Sequence, residues 1–195
     1  NIEVKKLYKD GLQRDQFLPF INIMEKLCTE KKLIIDEDYR KSKSNLLDRF
    51  FFPLNEDTNF KINQLFRKLT KDKKVSIKEL RIKGRTFIIK KYFEKVARFD
   101  FDELCDQNIG AEDYIKIAEV CKFIVIENIS NFTEHNKDKQ QRFITLIDIL
   151  YEKKIPLMIS SSTDLKNFSS SKSLKDTFKR TLSRLYELTS IKISN

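Results

Sequence analysis

The chain has 195 residues, a formal net charge of +10, 35% charged and 40% hydrophobic residues, and 16 Phe. That apolar content excludes a disordered chain, and the length suffices for one domain with an insertion or for two small lobes. No apolar run approaches the ~20 residues that a membrane-spanning helix needs. Only ten of the 39 basic residues are Arg, and the Lys are spread along the whole length. The charge therefore reads as compositional bias rather than as a clustered phosphate-binding face, and nucleic acid is not the expected partner.

In chain order, the first informative stretch is LYKDGLQRDQFLPFI, residues 7–21. Phe17, Phe20, Ile21, Met24, Leu27 and Cys28 recur at helical spacing and predict a buried helix. Proline is tolerated in the first helical turn, so Pro19 places the helix start at residues 16–18 and leaves Arg14 in the loop ahead. Two short apolar runs at 33–35 and 47–54 read as a hairpin with a long tip, closed by Pro53. Phe50, Phe51 and Phe52 cannot all face inward on a strand of period two. Asp57 or Thr58 offers an N-cap for a helix with Ile62, Leu65, Phe66 and Leu69 on one face. Residues 75–91 predict a second hairpin with its turn at Lys83-Gly84, and 96–100 a further strand.

Beyond residue 100 the pattern becomes α/β. A helix is predicted over 111–121, and the continuous apolar run 123–126 has the form of a strand buried on both faces. A helix with the stripe Phe143, Leu146, Ile147 and Leu150 follows, then a second buried strand at 156–159. Together they form a βαβ unit. After a Ser-rich loop, a last helix turns Leu174, Phe178, Leu182 and Leu185 inward. Arg180 and Arg184, four apart, fall outside that stripe.

The residues that could carry chemistry are few. Cys28, Cys105 and Cys121 lack Cys-x-x-Cys spacing and His135 is the only histidine, which is too little for a zinc site or a Cys–His nucleophile. No Gly-x-x-x-x-Gly-Lys phosphate loop is present among only three glycines. FIVIEN ends in Glu127, which has the look of a Mg²⁺-holding strand end but reads equally as an ordinary strand terminus. ARFDFDELC, residues 97–105, is the densest polar cluster. On a strand, Arg98, Asp100 and Asp102 would share one face, so an internal ion-pair knot is expected there.

LYKDGLQRDQFLPFI, VARFDFDELC, IGAEDYIKIAEV, RFITLIDILYEKKIPLMISS and FKRTLSRLYEL, in that order, resemble the ZapE-type AAA+ ATPases. These are bacterial cell-division ATPases with mitochondrial relatives in the ATPase-family-gene-one group. In that family a P-loop and a Walker-B strand precede the sensor-1 strand, and the Gly-Leu-Gln-Arg block comes next. The resemblance implies that this sequence is the C-terminal half of such an ATPase. Asn1 matches the sensor-1 position. Arg14 matches the Gly-Leu-Gln-Arg arginine, a candidate finger for transition-state charge on a phosphoryl group. Arg184, with Arg180 beside it, is the rival for that role or for a second sensor.

The implied architecture is α/β, the distal part of a P-loop NTPase sheet. Residues 1–32 would end the AAA+ core, 33–100 would form a β-hairpin-rich insertion, and 101–195 would be a C-terminal α/β segment. ATP and Mg²⁺ are implied cofactors, with neither expected to bind this chain alone, and the expected compartment is the cytoplasm. The expected partners are an ATPase half, other subunits of a ring, or a division protein. The alternative is a non-catalytic interaction module or split-gene remnant that docks on such proteins, with Phe50–Phe52 and the basic surface as contact.

Overall fold

The computed structural model describes residues 14–27 and 49–190. The chain divides into two compact units, residues 1–44 and 45–195.

In the first unit, α1 spans Arg14–Leu27. Arg14 is therefore helical rather than a loop residue ahead of the helix. Pro19 lies inside the helix, where its missing N–H forfeits one helical hydrogen bond. Leu18, Phe20 and Ile23 are exposed large apolar residues, so Phe20 does not belong to the inward stripe that the spacing suggested. The expected strand at 33–35 lies outside the described residues.

In the second unit the elements run β1 (Phe50–Phe51), α2 (Glu56–Leu69), β2 (Ser76–Ile82), β3 (Arg85–Phe93), β4 (Val96–Asp100), α3 (Phe101–Cys105), α4 (Ala111–Val120), β5 (Phe123–Ile129), α5 (Lys137–Glu152), β6 (Leu157–Ser161) and α6 (Lys175–Ser190). The strands form one mixed sheet in the order β1-β6-β5-β4-β3-β2. The β1, β6, β5 and β4 strands are mutually parallel, and the antiparallel β2–β3 hairpin extends the sheet from β4. The fold is thus α/β, as the pattern of elements predicts.

Each strand earns its place by its side chains. Ile124, Val125 and Ile126 are all fully buried, because helices cover both faces of the central strands. Ala97, Phe99, Ile124, Ile126, Leu157 and Ile159 point into the larger core, together with Ile117, Phe143, Leu146, Leu150, Phe178 and Leu185 from the helices. Their neighbours Val96, Phe123, Val125 and Met158 point the other way, onto Ile62 and Phe66 of α2. Fully burying one such side chain contributes ~1.5–3 kcal/mol, so the two faces together dominate the stability.

The β2–β3 turn has φ +43° at Lys83 and +82° at Gly84. Two successive positive φ values are what a two-residue hairpin turn of matching twist demands, and glycine adopts one of them without strain. Two local expectations differ from what is observed. The N-cap of α2 is Asn55, whose extended backbone lets its side chain accept from the Thr58 amide at 2.8 Å, rather than Asp57 or Thr58. The Phe50–Phe51 strand pairs in parallel with β6, Phe50 opposite Ile159, so it is a sheet edge rather than a hairpin arm. Of the three phenylalanines Phe50 is buried and Phe52 exposed.

Candidate functional site

Two polar constellations stand out in the second unit. The first lies at the carboxyl ends of β4, β5 and β6, where open α/β sheets commonly bind ligands. Arg98 of β4 donates from Nε and Nη2 to the two carboxylate oxygens of Glu127 at 2.6 and 2.7 Å, and from Nη2 to Asn63 of α2 at 2.9 Å. The guanidinium also covers the Phe66 ring, 4.9 Å from its centroid. Beside this pair, Asp100 accepts from the Asp102 amide at 3.0 Å while Glu103 accepts from the Asp100 amide at 3.0 Å, a closed capping box for α3. Asn128, at φ +63°, donates from Nδ2 to Asp100 at 2.7 Å, and its amide donates to Ser160 Oγ at 3.0 Å.

The expected knot of Arg98 with Asp100 and Asp102 is therefore resolved differently. The strand ends at Asp100, so strand alternation cannot carry Asp102 onto Arg98's face. Asp102 instead takes Lys139 of α5 at 3.0 Å, and Asp106 takes the same ammonium at 2.9 Å. The hydrogen bonds that Lys139 donates to Asp106 and Asp102 raise its pKa. Glu127 is neither a free strand terminus nor an open magnesium ligand, because both its oxygens are taken by Arg98. The signal for this pair in the sequence was an arginine flanked by apolar residues mid-strand and an acid closing the next buried strand.

The second constellation joins α5 to α6. Asp148 accepts from Arg184 at one oxygen and from Arg180 at the other, the latter at 3.2 Å. The Arg184 guanidinium stacks 4.8 Å from the centroid of the Tyr151 ring, and the Tyr151 hydroxyl donates to Glu187 at 2.7 Å. The Arg184 side chain is only 18% exposed, against 59% for Arg180. The fold thus brings the two predicted arginines of α6 onto one carboxylate. It packs one as a strut and leaves the other reaching into solvent. Arg14 opens α1 in the other unit, and Asn1 lies outside the described residues.

The helix N-termini of the second unit carry acidic side chains. A phosphate cradle uses the bare amides and positive dipole of a helix N-terminus. Here every helix of the second unit carries carboxylates in its first turn, namely Glu56 and Asp57, Asp102 and Glu103, Glu112 and Asp113, Asp138, and Asp176. Among the described residues no group of three or more His, Cys, Asp or Glu side chains is assembled to hold a metal.

The decisive comparison is with protein families: the family model for the AFG1-like ATPase matches residues 1–195. The chain belongs to the AFG1-like ATPase family. Its relatives include lactation elevated protein 1 homolog B of Danio rerio, 30% identical over 164 residues, covering 83% of this chain and 33% of that protein. Cell division protein ZapE of Escherichia coli is 27% identical over 190 residues, covering 97% of this chain and 51% of ZapE. A Schizosaccharomyces pombe protein is 32% identical over 162 residues, covering 82% and 36%. The chain thus spans between a third and a half of the curated relatives it matches. No solved structure matches it. In AFG1-like terms, the two α6 arginines and the Asp148 carboxylate sit within motifs that carried the resemblance, RFITLIDILYEKK and FKRTLSRLYEL.

Proposed function

We propose that this chain is the C-terminal portion of an AFG1-like AAA+ ATPase that couples ATP hydrolysis to mechanical work in cell division or protein quality control. One observation carries the reading: the family match runs through the whole chain while no phosphate loop occurs in the sequence. The nucleotide would then be held by a P-loop segment, and this chain would supply a cation to it. Arg14 is the leading candidate for that cation, as the arginine of the Gly-Leu-Gln-Arg block. Arg184, with Arg180 beside it, is the rival, and of the two Arg180 has the more exposed side chain. Positive charge delivered to a transferring phosphoryl group stabilises the transition state without covalent chemistry.

The chain alone is expected to release no phosphate from ATP above a protein-free control. Joined to the P-loop portion of a family member, in trans or by fusion, it should hydrolyse ATP, and Arg14→Ala should abolish that activity. Activity that survives Arg14→Ala but not Arg180→Ala or Arg184→Ala moves the finger to α6. Hydrolysis by the isolated chain overturns the proposal.

No helix among the described residues is long and apolar enough to cross a membrane. A cytoplasmic setting, with ring subunits or a division protein as partners, belongs to the same proposal.

A further inference from the structure

The inner face of α2 is fixed on the sheet by Ile62 and Phe66. Its outer face carries Phe60, Asn63, Gln64, Arg67 and Lys68, which with Lys71 of the turn that follows the helix line a shallow surface depression of about 490 Å³. The helical residues follow i, i+3, i+4, i+7, i+8, so the stripe runs ~12 Å along the helix axis, with Lys71 just past its end. Phe60 is 67% exposed, a large apolar ring that belongs to neither core cluster of the described residues. Arg67, Lys68 and Lys71 make no ion pair among the described residues, although acidic side chains elsewhere on the surface are paired repeatedly.

The stripe is also polar in sequence. Glu56 and Asp57 stand at its N-terminal end, followed by the aromatic ring, then two amides, then three cations. We propose that this stripe is the docking face for an acidic amphipathic helix of a partner protein. The partner's apolar residue would cover Phe60, and its carboxylates would lie over Arg67, Lys68 and Lys71. Helix ridges pack into the grooves between rows spaced three and four apart, and an exposed aromatic beside Arg is the composition of a binding anchor. A phosphate backbone fits less well, because its uniform negative charge would run onto Glu56 beyond Phe60, Asp57 there being paired with Lys61. A second copy of the stripe fits worst, since its three cations would meet their like. The inference stands whether or not the chain takes part in ATP hydrolysis.

The test uses the whole 195-residue chain and fluorescence anisotropy with two labelled probes. One is a helical peptide with Leu on one face and Glu on the other; the second is an oligothymidylate of matched charge. The peptide is expected to bind saturably. Arg67→Glu with Lys68→Glu should weaken that binding at least ~tenfold, the equivalent of one lost charge pair. Phe60→Ala should weaken it severalfold, and Lys179→Glu on α6 should leave it unchanged. All four positions are exposed, and circular dichroism checks that each variant is folded. Absence of saturable peptide binding overturns the proposal. So does equal loss in Lys179→Glu, which marks diffuse charge attraction, or indifference to Phe60→Ala, or tighter binding of oligothymidylate at the same stripe.

Discussion

Arg98 reaches diagonally across the sheet to hold both carboxylate oxygens of Glu127, at 2.6 and 2.7 Å. The parallel register sets Arg98 opposite Val125 and Asp100 opposite Glu127, so two carboxylates would face each other at the strand ends. The fold separates them. Glu127 turns back to Arg98, and Asp100 turns outward to cap α3 and to accept from Asn128.

That geometry sets the first expectation. The Arg98 and Glu127 side chains are 17% and 14% exposed, so removing one leaves a nearly buried charge unpaired. Arg98→Met should cost about 3 kcal/mol, while Arg98→Met with Glu127→Met should recover most of the loss, because the neutral pair no longer needs solvation. Urea unfolding of the three variants and the parent measures both terms of the cycle.

How much of this was legible in the sequence differs element by element. The strands at Phe123 and Leu157 and the helix between them were readable because continuous apolar runs and a helical stripe are local signals. The turn at Gly84 was readable for the same reason. The Arg98–Glu127 pair was not, because it depends on the parallel register of two strands separated by α4. Arg98 looked destined for the acids on its own strand, yet the strand stops where α3 needs a cap. The α6 arginines were readable as a pair at helical spacing, but their shared carboxylate, Asp148, lies 36 residues from Arg184. The stripe on α2 was read as half of an amphipathic pattern. That its outer half and the turn after it gather three cations behind an exposed ring needed the helix to be docked first.

The two described cysteines are expected to be unreactive and to make the fold sensitive to alkali. Burial pushes the Cys121 thiol from its ordinary 9.0 up to about 12, and burial likewise raises that of Cys105. The folded state therefore keeps protons that the unfolded chain releases. This contribution is fully present below pH 9.0, the ordinary thiol value, and is lost as pH rises toward the folded values. The slope is about 1.4 kcal/mol per pH unit for each thiol. Urea midpoints should fall with pH above that value, and Cys121→Ala should flatten the decline by roughly half. Iodoacetamide, which attacks the thiolate, should leave Cys105 and Cys121 unlabelled in the native protein and label both in urea, as read by peptide mass spectrometry.

Asp148 should matter to Arg184 and Arg180 unequally. Arg184 is packed against Tyr151 and mostly buried, so Arg184→Ala should destabilise by about 2 kcal/mol through lost packing and an orphaned carboxylate. Arg180→Ala breaks only an exposed pair, and its effect on stability should stay within about 0.5 kcal/mol. Thermal unfolding separates the two. Equal losses would mean that both arginines act as struts and would leave α6 without a displayed cation.

Phe132 is the point at which the segment after β5 is tied to the core. It sits outside any helix or strand yet is 1% exposed. Its ring lies 5.9 Å from Phe101, 5.7 Å from Phe143, 5.8 Å from Phe168 and 5.3 Å from Phe178. These rings come from α3, α5, the Ser-rich loop and α6, so one side chain joins four separate parts of the chain. The backbone reinforces it: Ser169 donates from Oγ to the Phe132 carbonyl at 2.9 Å, and its amide donates to Asn131 at 3.1 Å. Phe132→Ala should therefore cost ~3–5 kcal/mol, the range for truncating a buried aromatic. Phe132→Leu, which keeps apolar volume but loses the edge-to-face contacts, should cost distinctly less. Hydrogen exchange should show where the loss falls. If Phe132 ties the loop to the core, protection of the Ser169 and Ser171 amides drops in Phe132→Leu before that of β5 does. A uniform drop across β5, α5 and α6 would mean instead that the ring supports the core as a whole and that the loop is held by its own hydrogen bonds.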